Sequence, residues 1–274
     1  MTTMISTRGC PYNCSFCLGF ERGRYRERSV EKVVDELESC VRDGYRDIFF
    51  WDSIFTVKKD RVLKICQEIM NRNVQVSWSV RARINHVDEE MLEKLREAGC
   101  KRIQYGIEAG SDETLKLMRK GTTTEQIQRD IRLTKQFGFT VYGDFMIGFP
   151  GESRQNILDT IDFACNLDLD YVNFALTTPY PDTPLYKWGF EKKLYAADYW
   201  RDFAKDPKEG FVPKIWDESV SREELNGLLA LAYRRFYLRP GYIWRRLTEV
   251  RSYNDFMRKA RTGLRMLNKK MLEV

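Results

Sequence analysis

Long apolar runs are missing from this chain. None approaches the ~20 residues that a membrane-spanning helix needs, and the stretch 1–9 is too short and too polar for a secretory signal. Both absences make the expected protein soluble and cytoplasmic. Histidine is nearly missing too, with His86 alone. No recognisable nucleic-acid module occurs, so nucleic acid is not an expected partner. Cysteine is present, but its count of seven is odd, which excludes a complete disulfide framework. In a reducing compartment, clustered thiols serve as metal ligands or catalytic groups. The 274 residues, 43% of them hydrophobic, suit one large α/β domain or two small ones and suffice for a core.

Positive charge is concentrated at one end. Residues 233–274 carry 12 Lys+Arg against 3 Asp+Glu, a net of +9, and the rest carries 34 against 37, a net of −3. Such asymmetry points to an anionic partner for the tail or to a solvated helix face.

One pattern recurs along the chain: an amphipathic helix ends at Gly or Asn and a short strand rich in β-branched and aromatic residues follows. "VRDGYRDIFFW", "NRNVQVSWSV", "REAGCKRIQYGIE" and "KQFGFTVYGDFMIG" all show it. Gly44, Gly99, Gly138 and Asn73 stand where a helix terminus needs positive φ. Six strands are predicted near 3–7, 46–51, 75–81, 101–107, 139–147 and 171–177. Helices are predicted over 29–43, 58–72, 88–98, 112–137 (broken around Gly121) and 153–167, with Ser29, Asp88 and Ser111 as N-caps. Alternating strands and helices imply a parallel sheet. Six units need about 180 residues, whereas a closed eight-unit barrel takes about 250. The expected fold is therefore α/β, a partial (β/α)6 TIM-like barrel over 1–190. A helical, basic C-terminal extension covers 191–274.

In such a barrel the reactive groups stand at the carboxyl ends of the strands. Here those ends hold Asp52, Arg81 and Arg83, Glu108, the "GFPGE" turn and, after the first strand, "RGCPYNCSFCLG". That loop carries Cys10, Cys14 and Cys17. A closed zinc site takes four ligands, and the loop supplies three; His86 is distant and no second C-x-x-C pair exists. Iron–sulfur clusters are held by thiolates at short loop spacings, and three leave one iron open for a substrate or cofactor. Cys40, Cys66, Cys100 and Cys165 read instead as small buried hydrophobes.

Cys10, Cys14, Phe16 and Cys17 in C-x3-C-x-aromatic-C spacing resemble the signature of the radical S-adenosylmethionine (SAM) superfamily. "RYRERSVEKVVDELE", "WDSIFT", "GIEAGSDETLKLMRKG", "FMIGFPGES" and "YPDTPLY" look like its cobalamin-associated branch, which includes methylases and oxidative cyclases of lipids, tetrapyrroles and natural products. The resemblance covers about 3–190. It implies that Cys10, Cys14 and Cys17 ligate a [4Fe-4S] cluster whose open iron binds SAM. One electron then cleaves SAM to methionine and a 5′-deoxyadenosyl radical, which takes hydrogen from the substrate. Phe16 would flank the adenine, and backbone near Trp51 and Asp52 would meet the methionine amine, where many relatives have Gly-Gly-Glu. Arg83 would meet the SAM carboxylate, with Arg81 as second candidate, although Asp88 and Glu89 are alternative partners for Arg83. Glu108, helped by Ser111, would bind the ribose or amine, and Ile147, Gly148 and Pro150 would shape the adenine pocket.

An electron donor such as flavodoxin or ferredoxin is implied, with a small-molecule or lipid substrate. Relatives in this branch usually carry a cobalamin domain ahead of the cysteines. Nine residues precede Cys10 here, so cobalamin is either unused, supplied in trans or bound by a part outside this chain. The dispersed remaining cysteines argue against an auxiliary cluster and against methylthiotransferases. In the tail, Ser221 and Glu224 form a predicted capping box over a helix at 221–237, and Pro240-Gly241 breaks it. An amphipathic basic helix is predicted over 255–272, suited either to a membrane surface or to packing on the barrel. A zinc-stabilised binding protein without catalysis is the reading from another class.

Overall fold

The structure, a computed structural model, describes residues 1–18, 23–248 and 257. The chain opens with β1 (Thr2–Met4), then a short antiparallel ribbon of β2 (Thr7–Gly9) and β3 (Tyr25–Glu27) that brackets the cysteine loop. The ribbon was not expected, because three-residue strands fall below the length at which alternation can be read. After it come α1 (Val30–Arg42), β4 (Asp47–Phe50), α2 (Lys59–Asn71), β5 (Ser77–Ala82), α3 (Glu89–Glu97) and β6 (Cys100–Glu108). The barrel continues through α4 (Asp112–Leu117), α5 (Thr124–Gln136), β7 (Thr140–Ile147), α6 (Arg154–Asn166) and β8 (Tyr171–Leu176). The sheet order is β1-β4-β5-β6-β7-β8, parallel throughout, and β1 and β8 do not pair. The expected partial (β/α)6 barrel with a helical C-terminal extension is what the chain forms.

Local chemistry accounts for the element ends. Ser29, Asp88 and Ser111 accept hydrogen bonds from Lys32, Met91 and Thr114 backbone N–H, as N-caps do. Gly99 ends α3 at φ 92°, and a Cβ there would lie 2.4 Å from the Val76 carbonyl oxygen, so only glycine fits. The helical stretch expected over 112–137 is broken around Gly121 (φ 66°), as its sequence predicts, and Thr123 and Gln126 close a capping box on α5.

Burial alternates along β7 and, from Arg102 onward, along β6. Ile103, Tyr105, Ile107, Val141 and Ile147 are fully buried, on the face that meets the helices. Gln104, Gly106, Glu108, Tyr142 and Asp144 take the intermediate positions on the lumen face. Cys66 and Cys100 are buried in the core, and burial pushes the Cys100 thiol up to about 12. Cys40 and Cys165 pack half-buried against the same core.

Beyond β8 follow α7 (Pro184–Glu191), α8 (Tyr199–Lys205), α9 (Arg222–Tyr237) and α10 (Pro240–Thr248). Leu225, Leu228, Ala232 and Phe236 of α9 belong to one hydrophobic core with the barrel. Ser221 caps α9, but Glu224 pairs with Arg154 rather than closing a capping box. Two tyrosines of α9 finish the open edge of β8. Tyr237 Oη donates to the Val172 carbonyl (2.8 Å) and accepts from its N–H (3.0 Å). Tyr233 Oη does the same at Phe174 (3.0 and 3.1 Å). The α10 side chains Tyr242 and Arg246 donate to the Asp170 carbonyl at the start of β8 (3.0 and 2.6 Å). The helix expected over 255–272 lies outside the described residues. Among the described residues, no helix is long and apolar enough to cross a membrane.

Candidate active site

The cysteine loop is held from several sides. The buried Asp52 carboxylate, just past β4, accepts from Ser6 N–H (2.7 Å), Ser6 Oγ (2.5 Å) and Thr7 N–H (3.1 Å). The Arg61 guanidinium donates to the carbonyls of Ser6 and Arg28, both at 3.2 Å. Ser15 donates its N–H to the Met118 carbonyl at the end of α4 and accepts from Leu185 N–H at the start of α7, both at 3.0 Å. Tyr12 hydrogen-bonds His86 Nε2, and His86 Nδ1 meets the Thr56 carbonyl at 3.1 Å. The carbonyl can only accept, so Nδ1 carries the proton and Tyr12 donates to Nε2. Burial holds the His86 pKa below its usual value, and nearby Arg83 adds to this. His86 is thus a neutral brace for the loop.

The loop opens on a cavity of about 570 Å³ at the carboxyl ends of the strands. Cys10, Cys14, Cys17 and Phe16 line it, as do Trp51, Arg81, Arg83, Glu108 and Lys120. Burial pushes the Cys10 thiol up and neighbouring Cys14 adds to it, while Arg83 and Lys120 pull it down. Three soft thiol donors on one wall, with two cations beside them, fit an anionic iron–sulfur cluster held by thiolates. Among the described residues, no three His, Cys, Asp or Glu side chains gather around one point as a single ion requires. Cluster thiolates each bind a different iron and need no such convergence.

Arg83 is only 6% exposed. Its Nη1 lies 3.8 Å from Cys14 Sγ, and its guanidinium stacks over the Tyr12 ring at 3.9 Å. Among the described residues no carboxylate pairs with it. Asp88, its neighbour in sequence, is engaged by Lys59 at 2.6 Å.

Glu108 ends β6 at φ 74°, with Ala109 N–H reaching the Ile107 carbonyl at 3.0 Å. That is a γ-turn around a non-glycine residue, a strained geometry that surrounding contacts must hold. Pairing with β7 skips a residue here, and the Glu108 carboxylate lies 2.7 Å from Lys120 Nζ, both nearly buried. Gly106 makes this pair fit: a Cβ there would lie 2.5 Å from Glu108 Oε1 and 3.0 Å from Lys120 Nζ. Lys120 escaped the sequence reading, because a lysine beside a helix-ending glycine resembles surface charge. The legible signal was Gly106, two residues before a carboxylate on a lumen face.

Other expected residues stand apart from this cavity. Asp52 presents its side chain to Ser6 and Thr7, while its neighbours Trp51 and Ser53 line the wall. Ser111 Oγ caps α4. Ile147 is buried in the core, and Gly148 (φ 78°) seats Leu225 of α9, whose Cδ2 would lie 2.9 Å from a Cβ. Ile147, Gly148 and Pro150 are not among the residues lining the cavity. Glu152 follows, 3% exposed, accepting from Phe149 N–H at 2.7 Å. Burial pushes its carboxyl up to about 7.

Residues 4–164 match the sequence family described as the radical SAM superfamily. The chain belongs to the radical SAM superfamily. Membership implies a [4Fe-4S] cluster and SAM as its cofactors. Similar proteins include an uncharacterised methyltransferase of Pyrococcus horikoshii, 36% identical over 86% of this chain. The anaerobic magnesium-protoporphyrin IX monomethyl ester cyclase of Rubrivivax gelatinosus is 30% identical, also over 86%. The chain spans 51% and 42% of those two proteins. Among solved structures, the radical SAM methyltransferase TsrM of Kitasatospora setae, with cobalamin and a [4Fe-4S] cluster bound, superposes with a TM-score of 0.63. Its identity is 27%, over 68% of this chain and 38% of that one. The cobalamin-dependent SAM radical enzyme OxsB shares the fold at a TM-score of 0.69, with 19% identity over 96% of this chain and 45% of that one.

Proposed function

We propose that this chain is the catalytic part of a radical SAM enzyme that activates a C–H bond of a small-molecule or lipid substrate. The observation that carries the reading is one cavity wall where three loop cysteines meet a buried arginine that has no carboxylate partner among the described residues. The cluster, when bound, supplies the electron that splits SAM into methionine and a 5′-deoxyadenosyl radical, which abstracts hydrogen from the substrate. Cys10, Cys14 and Cys17 hold it and leave one iron free. Arg83 takes the SAM carboxylate in a bidentate pair, Phe16 flanks the adenine, and carbonyls near Trp51 and Asp52 accept from the methionine amine. Glu108 binds the ribose or amine, fixed in place by Lys120. Ser111, Ile147, Gly148 and Pro150 act as supports behind these contacts.

Cobalamin-dependent methyl transfer is the second reading, supported by the likeness to a methyltransferase solved with cobalamin bound. Cobalamin would come from a segment outside this chain or from a partner. The substrate class is a lipid or isoprenoid, a tetrapyrrole or a related natural product. A flavodoxin or ferredoxin serves as reductant, and the protein works in the cytoplasm, with the basic tail able to touch a membrane surface.

The test is anaerobic reconstitution with iron and sulfide, then dithionite and SAM, following 5′-deoxyadenosine by chromatography. Wild type is expected to form it, and Cys14→Ala to form none and to lose the brown cluster absorbance. A wild-type chain that assembles no cluster would return the cysteines to zinc and defeat the reading.

A further inference from the structure

We infer that Arg81, stacked on Trp51, binds an oxyanion of the substrate, a carboxylate or phosphate carried on a planar or apolar body. The inference rests on the proposed radical SAM reading for the word substrate, but the anion site itself rests on geometry alone.

In the β4–β5 register Phe49 stands beside Ser79 and Phe50 beside Val80, so Trp51, the next residue, comes abreast of Arg81. Arg81 Cζ lies 4.0 Å from the centre of the Trp51 ring and 5.5 Å from that of Phe49. Stacking uses the flat face of a guanidinium and leaves its in-plane N–H groups free to form a bidentate pair with an oxyanion. Among the described residues no acceptor takes those donors. Asp144, the carboxylate whose charge Arg81 feels, forms no hydrogen bond or ion pair with it and accepts from Gln104 at 2.7 Å. Burial lowers the Arg81 pKa, and the Asp144 charge offsets only part of that. Trp51, by contrast, keeps 52% of its surface exposed and lines the cavity with Arg81. A large aromatic left open beside an unpaired cation, at the carboxyl end of the barrel, is a platform with one charged edge. Arg83 is separate: Ala82 lies between them, and Arg83 faces Cys14 and Tyr12.

The test uses the reconstituted chain under anaerobic, unreduced conditions with saturating SAM, so that Arg83 is engaged. Line broadening in ¹⁹F NMR reports binding of 4-fluorobenzoate, 4-fluorophenyl phosphate and the neutral 4-fluorobenzamide. Wild type is expected to prefer one anion over the amide by about tenfold, the scale of a charge-assisted hydrogen bond. The preferred anion tells carboxylate from phosphate. Arg81→Gln should erase the preference, Arg81→Lys should keep part of it, and Trp51→Ala should weaken all three probes. Equal binding of anions and amide by wild type overturns the proposal, as does a preference that survives Arg81→Gln but disappears in Arg83→Gln. If Arg81→Gln does not fold, Arg81→Lys and Trp51→Ala decide. Deoxyadenosine formation by the same wild-type preparation tests the radical reading separately. An anion preference without deoxyadenosine would remove that reading and leave the site.

Discussion

Asp52 spends its carboxylate on three hydrogen bonds to Ser6 and Thr7, the two residues that carry the chain from β1 into the cysteine loop. Asp52→Asn would turn an NH2 toward donors that need an acceptor. The expected loss is about 3 kcal/mol, read as a lower urea midpoint, with poorer cluster incorporation at equal protein. Glu152 offers a pH test. Its carboxyl sits at about 7 in the fold against an ordinary 4.5, so folding favours the protonated form. The stabilisation is complete below pH 4.5 and is lost as pH rises through 7. Glu152→Gln should match wild type near pH 4 and exceed it at pH 8 by on the order of 3 kcal/mol, measured by denaturation at both values. At this scale the sequence was legible where chemistry is local. Cysteine spacing marks a loop whatever surrounds it, and a side-chain cap lies three residues from its target. Lys120 and the bracing by His86 were not legible, since both depend on residues brought together across the fold.

The helices and strands were easier to read than the edge that ends the sheet. Caps, helix-ending glycines and amphipathic faces are written within a few residues, so the six βα units could be placed in advance. The α9 tyrosines could not, because Tyr233 and Phe174 are 59 residues apart, and on sequence alone they are two aromatics four apart on a helix. Each hydroxyl both donates and accepts, so one side chain satisfies an N–H and a carbonyl that a seventh strand would otherwise pair. Replacing both Tyr233 and Tyr237 with Phe should cost about 2 kcal/mol. Amide exchange at Val172 and Phe174 should quicken, while amides of central β6 keep their protection.

The barrel and the C-terminal helices fold around one core, and Leu225, 1% exposed against Gly148, is the joint between them. Leu225→Ala is expected to cost about 2–5 kcal/mol and to do so in one cooperative transition, seen as coincident loss of near- and far-ultraviolet circular dichroism. Independent melting of the C-terminal part would contradict a shared core. The lumen, half-polar along β6 and β7, could be read from alternation only as a face; its cations and acids acquire partners through register, which no single strand encodes. The tyrosine-sealed edge also has a timetable. Phe174 leaves the ribosome 59 residues before the Tyr233 that will cover it, about 3–12 s at typical synthesis rates. Throughout that interval the outer edge of the last strand is an unpaired template, and a nascent chain crowded against its siblings is most exposed to mispairing there, before the finished protein exists.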